Sequence, residues 1–130
     1  MKRPYENSHD LVAAAKARVQ EIPVTDAEQA ILEADVLVDV REGDEFTAGH
    51  VPGAVHISRG LLEFKFSANP ALQARDLNIL LYCKTSGRAA LAAAALHDMG
   101  YLNVKSIAGG FDGWVAAGKP VAKPETPSFE

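Results

Sequence analysis

The chain has 130 residues, of which 48% are hydrophobic and 23% charged, and its formal net charge is −4. That profile fits one globular domain of ordinary size, and the acid excess argues against a nucleic-acid binder, which relies on basic surface to neutralise phosphates. No apolar run approaches the ~20 residues needed to cross a bilayer, no apolar stretch follows Lys2 and Arg3 as a secretory leader requires, and a single cysteine allows no internal disulfide, so the expected location is cytoplasmic.

In chain order, Ser8 to Glu21 reads as a helix, with Leu11, Ala15, Val19 and Ile22 along one face and Pro23 closing it. Thr25-Asp26-Ala27-Glu28 matches a capping box and predicts a short helix to about Ala34. Val36 to Val40 is a β-branched apolar run, read as a strand buried on both faces. The polar segment Arg41 to His50 is expected to include a helical turn, Pro52-Gly53 punctuates it, and Ala54 to Ile57 reads as a short strand. Leu61 to Ala74 suits one or two short helices, and Asn78 to Tyr82 is a second buried strand that delivers the chain directly to Cys83. From Arg88 to Met99 the chain is alanine-rich, the composition of a helix that can lie close to a sheet, and Gly100 suits its end. Val104 to Ile107 is a further strand, Gly109-Gly110 leads into a last helix carrying Phe111 and Trp114 as packing residues, and Pro120, Pro124 and Pro127 mark a frayed tail. Strands alternating with helices imply a parallel sheet with helices on both faces, which binds its ligands at the carboxyl ends of the strands. Cys83 stands at such an end.

The segment Cys83-Lys84-Thr85-Ser86-Gly87-Arg88 joins that strand to the alanine-rich helix. Backbone N–H groups at a helix start have no intrahelical partners and carry partial positive charge, so a loop curled around them can aim several donors at one anion. A thiol in that field is expected to ionise more readily than a free cysteine and to be reactive. Lys84 and Arg88 add formal charge, and Gly87 relaxes the backbone. The competing reading is that Cys83 is a buried hydrophobe ending an apolar strand.

Other polar residues carry weaker signals. Asp39 and Arg41, at the end of a buried strand, read first as a structural ion pair and second as groups that order the loop or bind donor. His50 reads as a hydrogen-bonded support beside Pro52 more than as a proton shuttle. Arg59 follows the Ala54–Ile57 strand and is placed to reach the mouth of the site, or else to be a solvated arginine. His9, His56 and His97 lack metal-ligand spacing, so no metal or other cofactor is expected.

Three ordered pieces of the chain resemble the rhodanese-like sulfurtransferase family in its single-domain form. Asp39-Val40-Arg41-Glu42 with Phe46 and then Gly49-His50-Val51-Pro52-Gly53-Ala54 is similar to its entry motif. Tyr82-Cys83 opening a six-residue loop to Arg88 is similar to its active-site loop, and Gly109-Gly110-Phe111 with Trp114 and Gly118-Lys119-Pro120-Val121 resembles its closing segment. The resemblance implies a three-layer α/β fold with a central, mostly parallel five-stranded sheet. It divides the chain into a helical extension over residues 1–22, a domain over 23–121 and a flexible tail over 122–130. It also implies transfer of sulfane sulfur from an anionic, thiosulfate-like donor through a Cys83 persulfide to a thiol, cyanide or protein acceptor. Cys83 and Arg88 would carry the reaction, with Lys84, Thr85, Ser86, Gly87 and Arg59 binding donor and Asp39, Arg41 and His50 in support. Members that prefer thiosulfate or mercaptopyruvate often have glycine in mid-loop, where this chain has Thr85-Ser86, which leaves the donor open.

Two rival readings share the fold. One is a non-catalytic sulfur carrier or interaction module, since fold does not fix function. The other is a Cdc25-like phosphatase or arsenate reductase, whose loops run one residue longer than the four that separate Cys83 from Arg88. A shorter loop makes a smaller cradle, better suited to one sulfur atom than to a tetrahedral phosphate. Monomer and homodimer are both compatible with the sequence.

Overall fold

A computed structural model describes residues 3–124. Five strands, β1 (Gln20–Ile22), β2 (Val36–Asp39), β3 (Val55–His56), β4 (Asn78–Tyr82) and β5 (Asn103–Ile107), form one sheet in the order β1-β5-β4-β2-β3, and every pairing is parallel. The helices are α1 (Ser8–Lys16), α2 (Ala27–Glu33), α3 (Gly43–Ala48), α4 (Leu62–Ala68), α5 (Gly87–Asp98) and α6 (Gly110–Ala116). This is the α/β arrangement expected from the alternating pattern.

Side chains alternate across a strand, and that alternation sorts the core into two layers. Val38, Ile79, Leu81 and Cys83 face α4 and α5, where they meet Leu62, Phe66, Ala89, Ala92, Ala93 and Leu96. Leu37, Leu80, Tyr82 and Ile107 face the other way, against Ala27 of α2 and Trp114 of α6. Alanines on a second side of α5, Ala90 and Ala94, pack on Ala15 of α1. Small side chains on both sides let α5 lie between the sheet and α1, which is why its poor amphipathicity does not matter.

Two expectations need correction. The first helix stops at Lys16 instead of running to Glu21, and residues 20–22 add the edge strand β1, pairing Gln20 with Lys105 and Ile22 with Ile107. Val19 and Ile22, placed on one helical face from their spacing, bury on opposite sides of the sheet, as residues an odd number apart on an extended chain must. The Thr25/Glu28 cap does not form: the chain enters α2 through a 3₁₀ turn over Val24–Asp26 with no side-chain cap, and the Glu28 carboxylate accepts from Lys119 instead. The capping box in this chain is at α3, where Glu42 and Glu45 cap each other's backbone.

Leu61 to Ala74 contains α4 flanked by 3₁₀ turns at Arg59–Leu61 and Pro70–Leu72. Near the end of the described residues, His50 and Ala122 exchange both backbone hydrogen bonds, at 2.9 and 2.8 Å, and Trp114 Nε1 donates to the Pro120 carbonyl. Pro127, part of the expected tail, lies outside the described residues. No helix among the described residues is long and apolar enough to span a membrane.

Candidate active site

β4 ends at Tyr82, and α5 begins at Gly87, so Cys83 to Ser86 must turn the chain from the sheet into a helix start. Cys83 keeps the strand's alternation and lies on the α5 side, 1% exposed, within the apolar layer. Its Sγ accepts from the Ala89 amide at 3.4 Å, in the first turn of α5. The sulfur is packed among apolar groups, as the competing reading has it, and it also accepts one helix-start N–H. Ala90 N–H already closes the first helical bond to Ser86, while the amides of residues 84–88 donate to no group among the described residues. Lys84 and Thr85 are exposed, and Ser86, Gly87 and Arg88 are half-buried.

The outer side of the loop is fixed by α6. Phe111 N–H donates to the Cys83 carbonyl at 2.8 Å and Asp112 N–H to the Lys84 carbonyl at 3.0 Å. This approach explains Gly110, which adopts φ +54°; a Cβ there would stand 2.4 Å from the Cys83 oxygen and 2.5 Å from that of Thr85. Only glycine fits such a contact.

The loop's cations are engaged by carboxylates. Arg88 forms a two-pronged pair with Glu45, Nη1 to Oε1 at 2.7 Å and Nη2 to Oε2 at 3.0 Å. The hydrogen bond from Arg88 holds the Glu45 carboxyl down at about 2, against desolvation that works to raise it, and the same bond raises the Arg88 pKa. Lys84 pairs with Asp112 at 2.7 Å. Arg59, read as a residue at the mouth of the site, pairs with Glu63 on its own helical segment at 2.7 Å. Among the described residues no cluster of His, Cys, Asp or Glu is arranged to hold a metal ion.

Asp39, Arg41 and His50 sit elsewhere. Asp39 is 0% exposed and on the opposite sheet face from Cys83, with Tyr82. Its carboxylate accepts from Arg41 Nη2 at 2.7 Å and from the Tyr82 hydroxyl at 2.8 Å, while the Tyr82 oxygen accepts from Val51 N–H at 3.0 Å. Arg41 also donates to the Gly49 carbonyl at 2.7 Å and lies over the Phe111 ring, 4.2 Å from its centroid. Burial works against the Arg41 charge, but the Asp39 hydrogen bond and charge outweigh it and leave its pKa raised. Desolvation, aided by Asp39, drives the Tyr82 hydroxyl well above its ordinary value. His50 stacks on Phe46, ring centroids 3.8 Å apart, and its Nδ1 bonds the Phe46 carbonyl. His56 Nε2 bonds the Arg41 carbonyl at 2.7 Å.

Sequence reasoning missed Glu45, and it quoted Tyr82 and Gly110 as motif residues without assigning the Tyr82 hydroxyl or the close approach at Gly110 any part. The strand pattern hid the Tyr82 hydroxyl among apolar neighbours, and Glu45 reaches Arg88 from 43 residues away. A double glycine before an aromatic residue was the one local signal for the close approach at Gly110.

The segment 24–117 matches the family model for the rhodanese-like domain. The thiosulfate sulfurtransferase GlpE of Haemophilus influenzae is 32% identical over 103 residues, covering 78% of this chain and 93% of the relative. Among solved structures, a protein of unknown function from Rhodopseudomonas palustris, described as a possible tyrosine phosphatase, superposes with a TM-score of 0.82 at 30% identity over 94% of this chain and 99% of that one. The polysulfide-sulfur transferase homodimer of Wolinella succinogenes gives a TM-score of 0.72 at 32% identity, with 88% and 85% covered. With its five-stranded parallel sheet, its cysteine at the end of the central strand and these matches over most of its length, this chain belongs to the rhodanese-like domain family.

Proposed function

We propose that the chain is a rhodanese-type sulfurtransferase that carries sulfane sulfur on Cys83. The Cys83 thiolate attacks the outer sulfur of a thiosulfate-like donor. The donor's S–S bond breaks, its electron pair leaves on sulfite, and the enzyme keeps a Cys83 persulfide anion. A thiol or cyanide then attacks the outer sulfur, the Sγ–S bond breaks, and the thiolate returns. No outside oxidant or reductant is needed.

The observation that carries this reading is the set of main-chain N–H groups over residues 84–88, next to Cys83, that have no acceptor among the described residues. Unengaged donors held beside the sulfur can stabilise a developing anion, and a persulfide adds its negative charge one bond beyond Sγ. Burial of Cys83 adds a requirement: the donor must enter through the exposed and half-buried loop residues 84–88. The bond between Arg88 and Glu45 makes Arg88 a fixed wall of this loop that retains its own proton. Four residues between Cys83 and Arg88 leave a cradle small for a phosphate ester, which favours sulfur over phosphoryl chemistry. The sulfur-donor and sulfur-acceptor roles of its relatives extend here to a small anionic donor and a thiol acceptor.

Intact-mass spectrometry tests the reading. Thiosulfate or polysulfide should leave about 32 Da on the wild type, removable by cyanide or dithiothreitol, as expected for one added sulfur on a thiolate. Cys83→Ser should gain nothing. A wild type that takes no sulfur from any donor but hydrolyses aryl phosphates would transfer the assignment to the phosphatase class.

A further inference from the structure

The family-matched segment starts at residue 24, yet an element before it touches the loop. Lys16, the last residue of α1, donates from Nζ to the Ser86 hydroxyl at 2.7 Å. Val12, one turn earlier on α1, would lie 3.5 Å from a Cβ at Gly87, so the helix and the loop are in close packing. Between them runs a groove of about 330 Å³ whose walls include His9, Val12 and Lys16 on one side and residues 85–87 on the other.

Lys16 differs from the cations that the sequence put forward for the site in what neutralises it. Arg88, Lys84 and Arg59 each hold a carboxylate at 2.7 Å. Lys16 is anchored to a neutral hydroxyl, and its nearest carboxylate, Glu21, is 3.9 Å away. Its side chain is 36% exposed, so the ammonium is both held and reachable. A carboxylate at contact distance offsets more of a cation's field than one at 3.9 Å, and a hydroxyl offsets almost none.

We infer that Lys16 is a specificity residue of the Cys83 loop, supplying the least neutralised of these positive charges, which draws an anionic sulfur donor into the groove between α1 and residues 85–87. This rests on the sulfur-transfer reading above, and it assigns the N-terminal helix a part in selecting the donor. The charge acts on the sulfonate end of a thiosulfate-like molecule, while the sulfane end goes to Cys83.

Two readouts on wild type, Lys16→Met and Lys16→Arg test it. The first is the concentration of thiosulfate that half-saturates loading of Cys83. The second is the rate of Cys83 alkylation by anionic iodoacetate and by neutral iodoacetamide. With Met at position 16, the half-saturating thiosulfate concentration should rise about tenfold and the iodoacetate rate should fall about fivefold, in keeping with the loss of one charge near the surface. The iodoacetamide rate should stay within about twofold, since a neutral reagent does not feel that charge. Lys16→Arg should recover most of both effects, and added salt should shrink them. Equal slowing of both alkylating agents would show that Lys16 only shapes the loop, and no change in either would show that its charge is not felt; each overturns the inference. A wild type that loads no sulfur sinks the sulfurtransferase reading instead, and the alkylation pair still decides whether Lys16 selects anions.

Discussion

At the carboxyl end of the sheet the two faces are built on different principles. The face toward α5 carries Cys83 among alanines and leucines, with main-chain N–H groups as its main polar resource. The face toward α6 carries a closed set of side-chain bonds, Arg41 to Asp39 to Tyr82 to Val51, with Arg41 also tied to Gly49. On one side the main-chain amides of residues 84–88 have no acceptor among the described residues; on the other, Asp39 and the Tyr82 hydroxyl are engaged by Arg41, Val51 and each other. The buried ion pair does not touch the loop, and the two sides are joined where Val40 N–H bonds the Tyr82 carbonyl, where α6 grips the loop's outer carbonyls and where Lys84 pairs with Asp112 of α6.

The strongest way to break this division is at its buried charge. Asp39→Ala leaves Arg41, 4% exposed, without its partner and strands the Tyr82 hydroxyl. The expected cost is about 3–5 kcal/mol, read as a fall in the midpoint of urea unfolding. If the cost stays below about 1 kcal/mol, water or other groups satisfy Arg41 and the network is not the closed set described.

Next in size is the contact between the sides. Gly110→Ala combines a left-handed backbone with a Cβ 2.4 Å from the Cys83 oxygen, and should cost about 2–4 kcal/mol. Because the clash falls on the loop carbonyls, sulfur loading of Cys83 should drop at temperatures where the variant is still folded by circular dichroism. Full loading there would mean that α6 holds the domain together without holding the loop.

The smallest effect expected is at the Glu45–Arg88 pair. Its carboxyl sits at about 2 against an ordinary 4.5, so the pair's contribution is complete above pH 4.5 and disappears as pH falls through 2. Unfolding of wild type and Glu45→Gln should therefore differ by about 1 kcal/mol or less at neutral pH, as for a half-exposed pair. That gap should shrink as pH falls from 4.5, still be visible near pH 3, and close below about pH 2. A gap that closes between pH 5 and 4 would show that Arg88 does not hold Glu45 as tightly as the geometry indicates.

How much of this could be read from the sequence depends on the range of the interactions involved. β2, β4 and α5 were legible because runs such as Val36-Leu37-Val38 and Ala92-Ala93-Ala94 carry their own signal, and the loop was legible because strand, cysteine and helix start are contiguous. β1 was not, since Gln20 and Glu21 are polar and the strand exists through backbone pairing with β5. Thr25/Glu28 met the local rule for a cap, but Glu28 found a partner in Lys119, 91 residues away. Arg88 and Arg59 were recognisable as candidate cations, whereas the carboxylates that occupy them, Glu45 and Glu63, were not assigned.

The position of β4 has a further consequence. It lies third of five, with β5 on one edge and β2 on the other, so its amides are enclosed on both sides. Amides in such a strand exchange with solvent mainly when the whole molecule opens, while peripheral turns fluctuate on their own. Cys83 is thus attached to the strand whose amides should exchange most slowly, and heat should disable it only as the domain itself melts.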